Sequence, residues 1–223
     1  MKVLVFGATG MLGHGVLREC LLAADVEEVV AVGRNPSGQQ HPKLRELVMA
    51  NMYDYTAVES QLAGFDACFF CLGVSSIGMN EEDYRRVTYE LTLAAATVLA
   101  HLNPGMTFVY VTGAGTDSSE RGNSMWARVK GATENALLRL PFKAAFMFRP
   151  GVIQPLHGAR SKTPLYQAAI VVLSPLLGLA ARLWPGYVTT TERIGLAMLA
   201  VARHGASKVL LDPADINALA RQG

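Results

Sequence analysis

Six short apolar runs, at residues 3–6, 29–32, 47–49, 67–72, 108–112 and 144–148, punctuate the first two thirds of the chain. They are too short for helices and lean towards β-branched and aromatic residues, the pattern of strands covered on both faces. Between them, stretches at 11–22, 55–62, 81–101 and 124–140 carry apolar positions at helical spacing. Strands alternating with helices of this length imply right-handed crossovers, and hence an α/β protein built on a doubly wound parallel sheet. After Pro150 the pattern changes, with strands giving way to loops and to helical stretches at 165–184 and 191–204. The chain reads as one domain over 1–223: a core over 1–152, then a helical segment over 153–223 that would cover the reactive side.

The 165–184 stretch is apolar enough to raise the question of a membrane span. Gln167, Ser174, Pro175 and Arg182 interrupt it, and the proline would break a spanning helix near its middle. It reads instead as a packed lid or a subunit interface, leaving a homodimer and peripheral membrane contact open and no transmembrane segment.

Composition narrows the partners. A net charge of +2, with 17% charged residues, offers no basic surface of the kind nucleic acid needs. The first apolar run is short and leads into glycines rather than a cleavage site, so no secretory plan is present and a cytoplasmic protein is expected. Three cysteines, Cys20, Cys68 and Cys71, make no disulfide framework. Cys68 and Cys71 are three apart in a strand run and would point to opposite faces, which argues against a redox or metal pair; no metal site is expected.

The chemistry begins at Gly7-Ala8-Thr9-Gly10-Met11-Leu12-Gly13, between the first strand and the first helix. Missing Cβ atoms allow a tight turn at Gly7, a phosphate close to Gly10, and helix packed on strand at Gly13. Free N–H groups at the helix start then face an anion. In this GxxGxxG form, with Gly-Ala-Thr-Gly, the segment resembles the short-chain dehydrogenase/reductase superfamily, in its extended or atypical, NmrA-like and epimerase-like branch. The resemblance implies a Rossmann fold and a nicotinamide dinucleotide.

Arg34, after the second strand, suits a 2′-phosphate where an acid would suit the ribose hydroxyl of NAD, so NADP is expected over NAD. By the same resemblance, Asn51 and Met52 stand where the family contacts adenine, and Cys71, Leu72 and Gly73 where it lines the cofactor. Pro150, Gly151 and Val152 stand where it meets the nicotinamide carboxamide.

For catalysis the family uses a Ser or Thr after the fifth strand and a Tyr-x-x-x-Lys helix. Thr112 and Lys130 match, but Trp126 occupies the tyrosine position. Indole N–H donates and does not ionise near neutral pH, so Trp126 cannot relay a proton. Ser124, Thr112, Tyr166 and His157 are the candidates to replace it. Three functions remain open: an NADP-dependent oxidoreductase or epimerase-like enzyme on a small substrate, a catalytically impaired NADP(H) sensor acting through a protein partner, and a flavin or quinone reductase.

Overall fold

A computed structural model describes residues 1–159 and 186–222. Strands β1 (Lys2–Phe6), β2 (Glu28–Gly33), β3 (Leu44–Val48), β4 (Ala67–Phe70), β5 (Thr107–Val111), β6 (Ala144–Phe148) and β9 (Leu210–Leu211) form one sheet in the order β3-β2-β1-β4-β5-β6-β9. Every pairing in it is parallel. Strand order reverses between β1 and β4, which opens a crevice at their carboxyl ends. This is the doubly wound Rossmann-like sheet that the alternation predicts.

The sheet divides two apolar layers. On one face Val3, Val5, Val29 and Phe69 pack with Val16, Leu17 and Cys20 of α1 (Met11–Leu22) and with Ile194 and Met198 of α5 (Thr191–His204). On the other, Leu4, Phe6, Phe70 and Phe108 meet Ala95, Ala96 and Leu99 of α3 (Leu91–Leu102). The parallel register sets Phe6 beside Phe70, and their rings stack at 5.1 Å between centroids; Phe70 and Phe108 follow at 5.9 Å. Cys68 lies in the second layer while Cys71 packs against the first, as strand alternation requires, and all three cysteines are free.

Several elements differ from the expectation. Residues 55–62 form only a 3-10 turn (Thr56–Gln61), and the 81–101 helix is interrupted: α2 (Glu81–Arg85) passes through a π turn (Arg86–Glu90) into α3. The stretch after Pro150 keeps strands as well as helices. β7 (Val152–Gln154) pairs with β8 (Val188–Thr190) in a second, two-stranded parallel sheet, and β9 extends the main one. Runs of two or three residues leave no periodicity to read. Helix α6 (Pro213–Leu219) follows; Asp212 accepts from the Ala214 and Asp215 N–H groups while Asp215 accepts from that of Asp212, closing a capping box. The 165–184 stretch lies outside the described residues. Among those described, no helix is long and apolar enough to cross a membrane.

Candidate cofactor site

The junction of β1 and α1 (Met11–Leu22) is shaped by its glycines. Gly7 has φ +81°, a left-handed conformation that side chains rarely adopt. A Cβ at Gly13 would lie 2.1 Å from the Gly7 carbonyl oxygen, so only glycine lets the helix rest on the turn. Gly10 is different: a Cβ there would meet only the Gly7 oxygen, at 3.3 Å. The space before Gly10 is therefore open. Gly10 is the N-cap of α1, has no side chain to cap it with, and the first turn carries no acid. Among the described residues no side chain fills this anion position, which leaves the helix's first N–H groups for a ligand.

That turn floors a cleft of about 390 Å³ at the carboxyl ends of β1, β2 and β4. Gly7, Ala8, Thr9 and Gly10 line it, with Arg34, Asn51 and Met52 on one side and Cys71, Leu72 and Gly73 on the other. Met11, Leu12 and Gly13 belong to α1 behind the turn. Arg34 is exposed and makes no ion pair or hydrogen bond among the described residues. The Asn51 carboxamide oxygen accepts from the Tyr53 N–H at 3.0 Å, so its acceptor already serves a turn. Burial pushes the Cys71 thiol up to about 12, which keeps it protonated and unreactive near neutral pH.

Sequence reading missed Glu46, Tyr53, Val87 and Leu91 in the cleft wall. Glu46 is the consequential one, because it puts a carboxylate in the same cleft wall as Arg34. Parallel pairing of β2 with β3 sets Glu46 against Ala31 and delivers it there, a register invisible along the chain.

Thr112, Trp126 and Lys130 form a second group, outside the cleft lining. Lys130 lies on α4 (Met125–Leu137) and its Nζ donates to the Thr112 carbonyl oxygen at 2.7 Å. Burial brings the Lys130 amine down to about 8, against an opposing pull from Glu134. The Thr112 hydroxyl donates to Glu134 Oε1 at 2.6 Å, with the Phe148 carbonyl oxygen a more distant acceptor at 3.2 Å. Glu134 is fully buried and paired with Arg149, whose Nε donates to it at 3.0 Å. Trp126, half-buried, sits over Gly115 in the loop after β5.

The remaining candidates are dispersed. Ser124 is exposed and caps nothing with its side chain, and the His157 ring pairs with Glu192 at 2.5 Å. Tyr166 lies outside the described residues. The Pro150 carbonyl accepts from the Ala114 N–H at 2.8 Å, Gly151 abuts the Tyr187 carbonyl, and the Val152 N–H donates to that carbonyl at 3.0 Å. These three residues thus tie β7 to the loop after β5 and do not line the cleft. Among the described residues no cluster of His, Cys, Asp and Glu could hold a metal.

A family model described as NAD(P)H-binding matches residues 7–138. The chain is similar to the mitochondrial protein FMP52-2 of Scheffersomyces stipitis, 26% identical over 171 residues that make up 75% of this chain and 72% of that one. It is also similar to the mitochondrial protein FMP52 of Eremothecium gossypii, 30% identical over 69% of this chain and 66% of that one. Among solved structures it resembles the Bordetella bronchiseptica enzyme WbmF in complex with NAD+, at TM-score 0.68 and 17% identity over 99% of this chain and 77% of that one. A UDP-N-acetylglucosamine 4-epimerase from Methanobrevibacter ruminantium matches at TM-score 0.68 and 14% identity, over 94% and 74%.

These likenesses bear out the short-chain dehydrogenase/reductase resemblance and its Rossmann-like fold. They overturn the expected cytoplasmic location, because the relatives are named mitochondrial. That expectation rested on the missing secretory plan, which has no bearing on mitochondrial addressing.

Proposed function

The chain belongs to the NAD(P)H-binding family, and on that premise we propose that it is an NADP(H)-preferring oxidoreductase whose acceptor needs no proton from a side-chain tyrosine. The fit of the dinucleotide rests on the open, uncapped start of α1 (Met11–Leu22) at Gly10 and on the cleft beside it. Helix N–H groups would hold the pyrophosphate, and the Arg34 guanidinium, unpaired among the described residues, would take the 2′-phosphate through charge-assisted bonds. When bound, the nicotinamide supplies or accepts a hydride.

One observation carries the choice of acceptor. The tyrosine position holds Trp126, and the Thr112 hydroxyl already donates to Glu134 at 2.6 Å. Neither side chain can hand a proton to a reduced carbonyl. Lys130, whose Nζ donates to the Thr112 carbonyl oxygen outside the cleft lining, would take the ribose-binding role that the resemblance implies. Quinones and flavins accept hydride and draw their proton from water, so they suit this arrangement better than aldehydes or ketones do.

Stopped-flow oxidation of NADPH by the wild-type protein tests the reading, with a soluble benzoquinone and riboflavin set against aromatic aldehydes. Quinone or flavin turnover well above aldehyde turnover is expected. Faster aldehyde reduction would overturn it, and tight binding with no turnover of any acceptor would point to a sensor.

A further inference from the structure

Glu46 and Ser37 carry a further inference, resting on the reading that the cleft takes a nicotinamide dinucleotide. Glu46 Oε1 accepts from the Ser37 N–H at 3.0 Å and also from the Ser37 hydroxyl. Ser37 sits three residues beyond Arg34, in the loop that leaves β2 (Glu28–Gly33), and its hydroxyl in turn accepts from the Gln39 N–H at 3.2 Å. An N–H and an O–H converging on one oxygen, in the same cleft wall as a guanidinium that has no partner among the described residues, are the donor set a phosphate would use. Here they hold the chain's own carboxylate, at the rim where Arg34 and Glu46 both line the cleft.

We propose that Glu46 is a specificity-determining residue: its carboxylate occupies the donors of Ser37 in place of a 2′-phosphate and so limits the preference for NADP over NAD. Two effects act in the same direction. A 2′-phosphate must displace Glu46 from Ser37 to gain those donors, and the displaced carboxylate then faces a group of like charge. A 2′-hydroxyl carries no charge and meets neither penalty. Arg34 favours the phosphate and Glu46 opposes it, which leaves the protein able to use both nucleotides with NADP somewhat ahead.

Calorimetry with adenosine 2′,5′-bisphosphate and adenosine 5′-monophosphate isolates this subsite from the nicotinamide end. In Glu46→Gln the advantage of the bisphosphate over the monophosphate is expected to rise about tenfold, equivalent to about 1.4 kcal/mol. Glu46→Ala, which removes the acceptor as well as the charge, moves the ratio the same way. Adding Ser37→Ala to Glu46→Gln takes back most of the gain. Monophosphate affinity is the control for the fold of the cleft. An unchanged ratio with monophosphate binding intact, or a change shared equally by both ligands, would overturn the role of Glu46. Failure of the wild type to bind either ligand would overturn the nucleotide reading itself.

Discussion

Alanine at Gly10 and at Gly13 should separate nucleotide binding from folding, because the two glycines face different neighbours. A Cβ at Gly13 would lie 2.1 Å from the Gly7 oxygen, 2.6 Å from the Gly7 carbonyl carbon and 3.0 Å from the Ala8 nitrogen, all backbone of the turn itself. Ordinary contact is about 3.5 Å, so helix and turn must part by about 1.4 Å. Overpacking of a tight site costs about 1–3 kcal/mol, and a rigid backbone neighbour places Gly13→Ala at the upper end. For a chain of this size that lowers Tm by about 6–12 °C. At Gly10 the backbone is extended, φ −86° and ψ 162°, and a Cβ meets one atom at 3.3 Å. Gly10→Ala should therefore melt within about 2 °C of wild type. Its methyl would nevertheless stand where the pyrophosphate approaches, costing one charge-assisted bond of about 1.5–3 kcal/mol and weakening NADPH about 10- to 100-fold. Thermal melts by circular dichroism and calorimetric titration read both. Wild-type NADPH affinity in Gly10→Ala, or a wild-type melt in Gly13→Ala, would refute the reasoning.

Arg34→Ala should weaken NADPH by at least about tenfold while leaving NADH within about twofold, since one charge-assisted contact to the 2′-phosphate is lost; equal losses in competitive titrations would remove Arg34 from that role. Lys130 predicts a pH effect. Its amine is brought from 10.5 to about 8 in the folded protein, so above pH 8 the unfolded chain binds the extra proton and stability rises with pH. At about 1.4 kcal/mol per unit, wild type should gain about 3 kcal/mol over Lys130→Met between pH 8 and 10.5 in urea melts, and parallel curves for the two proteins would contradict the burial of the charge. Trp126→Tyr, beside Lys130, should raise NADPH-dependent aldehyde reduction by at least about tenfold over a slow wild type; brisk wild-type reduction that survives Lys130→Ala would show that the proton comes from elsewhere.

What the sequence made legible is local. Residues 11–22 and 144–148 are helix and strand in the structure with the expected bounds, because each carries a full period of apolar positions. The glycine turn was readable because φ and close approach restrict residue type at single positions. Asp212 and Asp215 around Pro213 also carry a helix-start signal, and α6 (Pro213–Leu219) could have been found from it. What stayed hidden depends on pairing across the sheet or on side-chain direction. Glu46 enters the cleft through the register of β3 on β2, and Thr112 turns its hydroxyl to Glu134, which α4 supplies from 22 residues away. The same residue letter serves a substrate-facing hydroxyl and a buried one. β7, β8 and β9 are too short to carry a period.

A crystal structure of the protein grown with NADPH tests the placement of the cofactor most directly. The pyrophosphate should lie against the N–H groups that follow Gly10, with the adenosine beside Met52 and the 2′-phosphate within hydrogen-bond distance of Arg34. A dinucleotide bound away from the β1–α1 turn, or none bound at saturating NADPH, would contradict it.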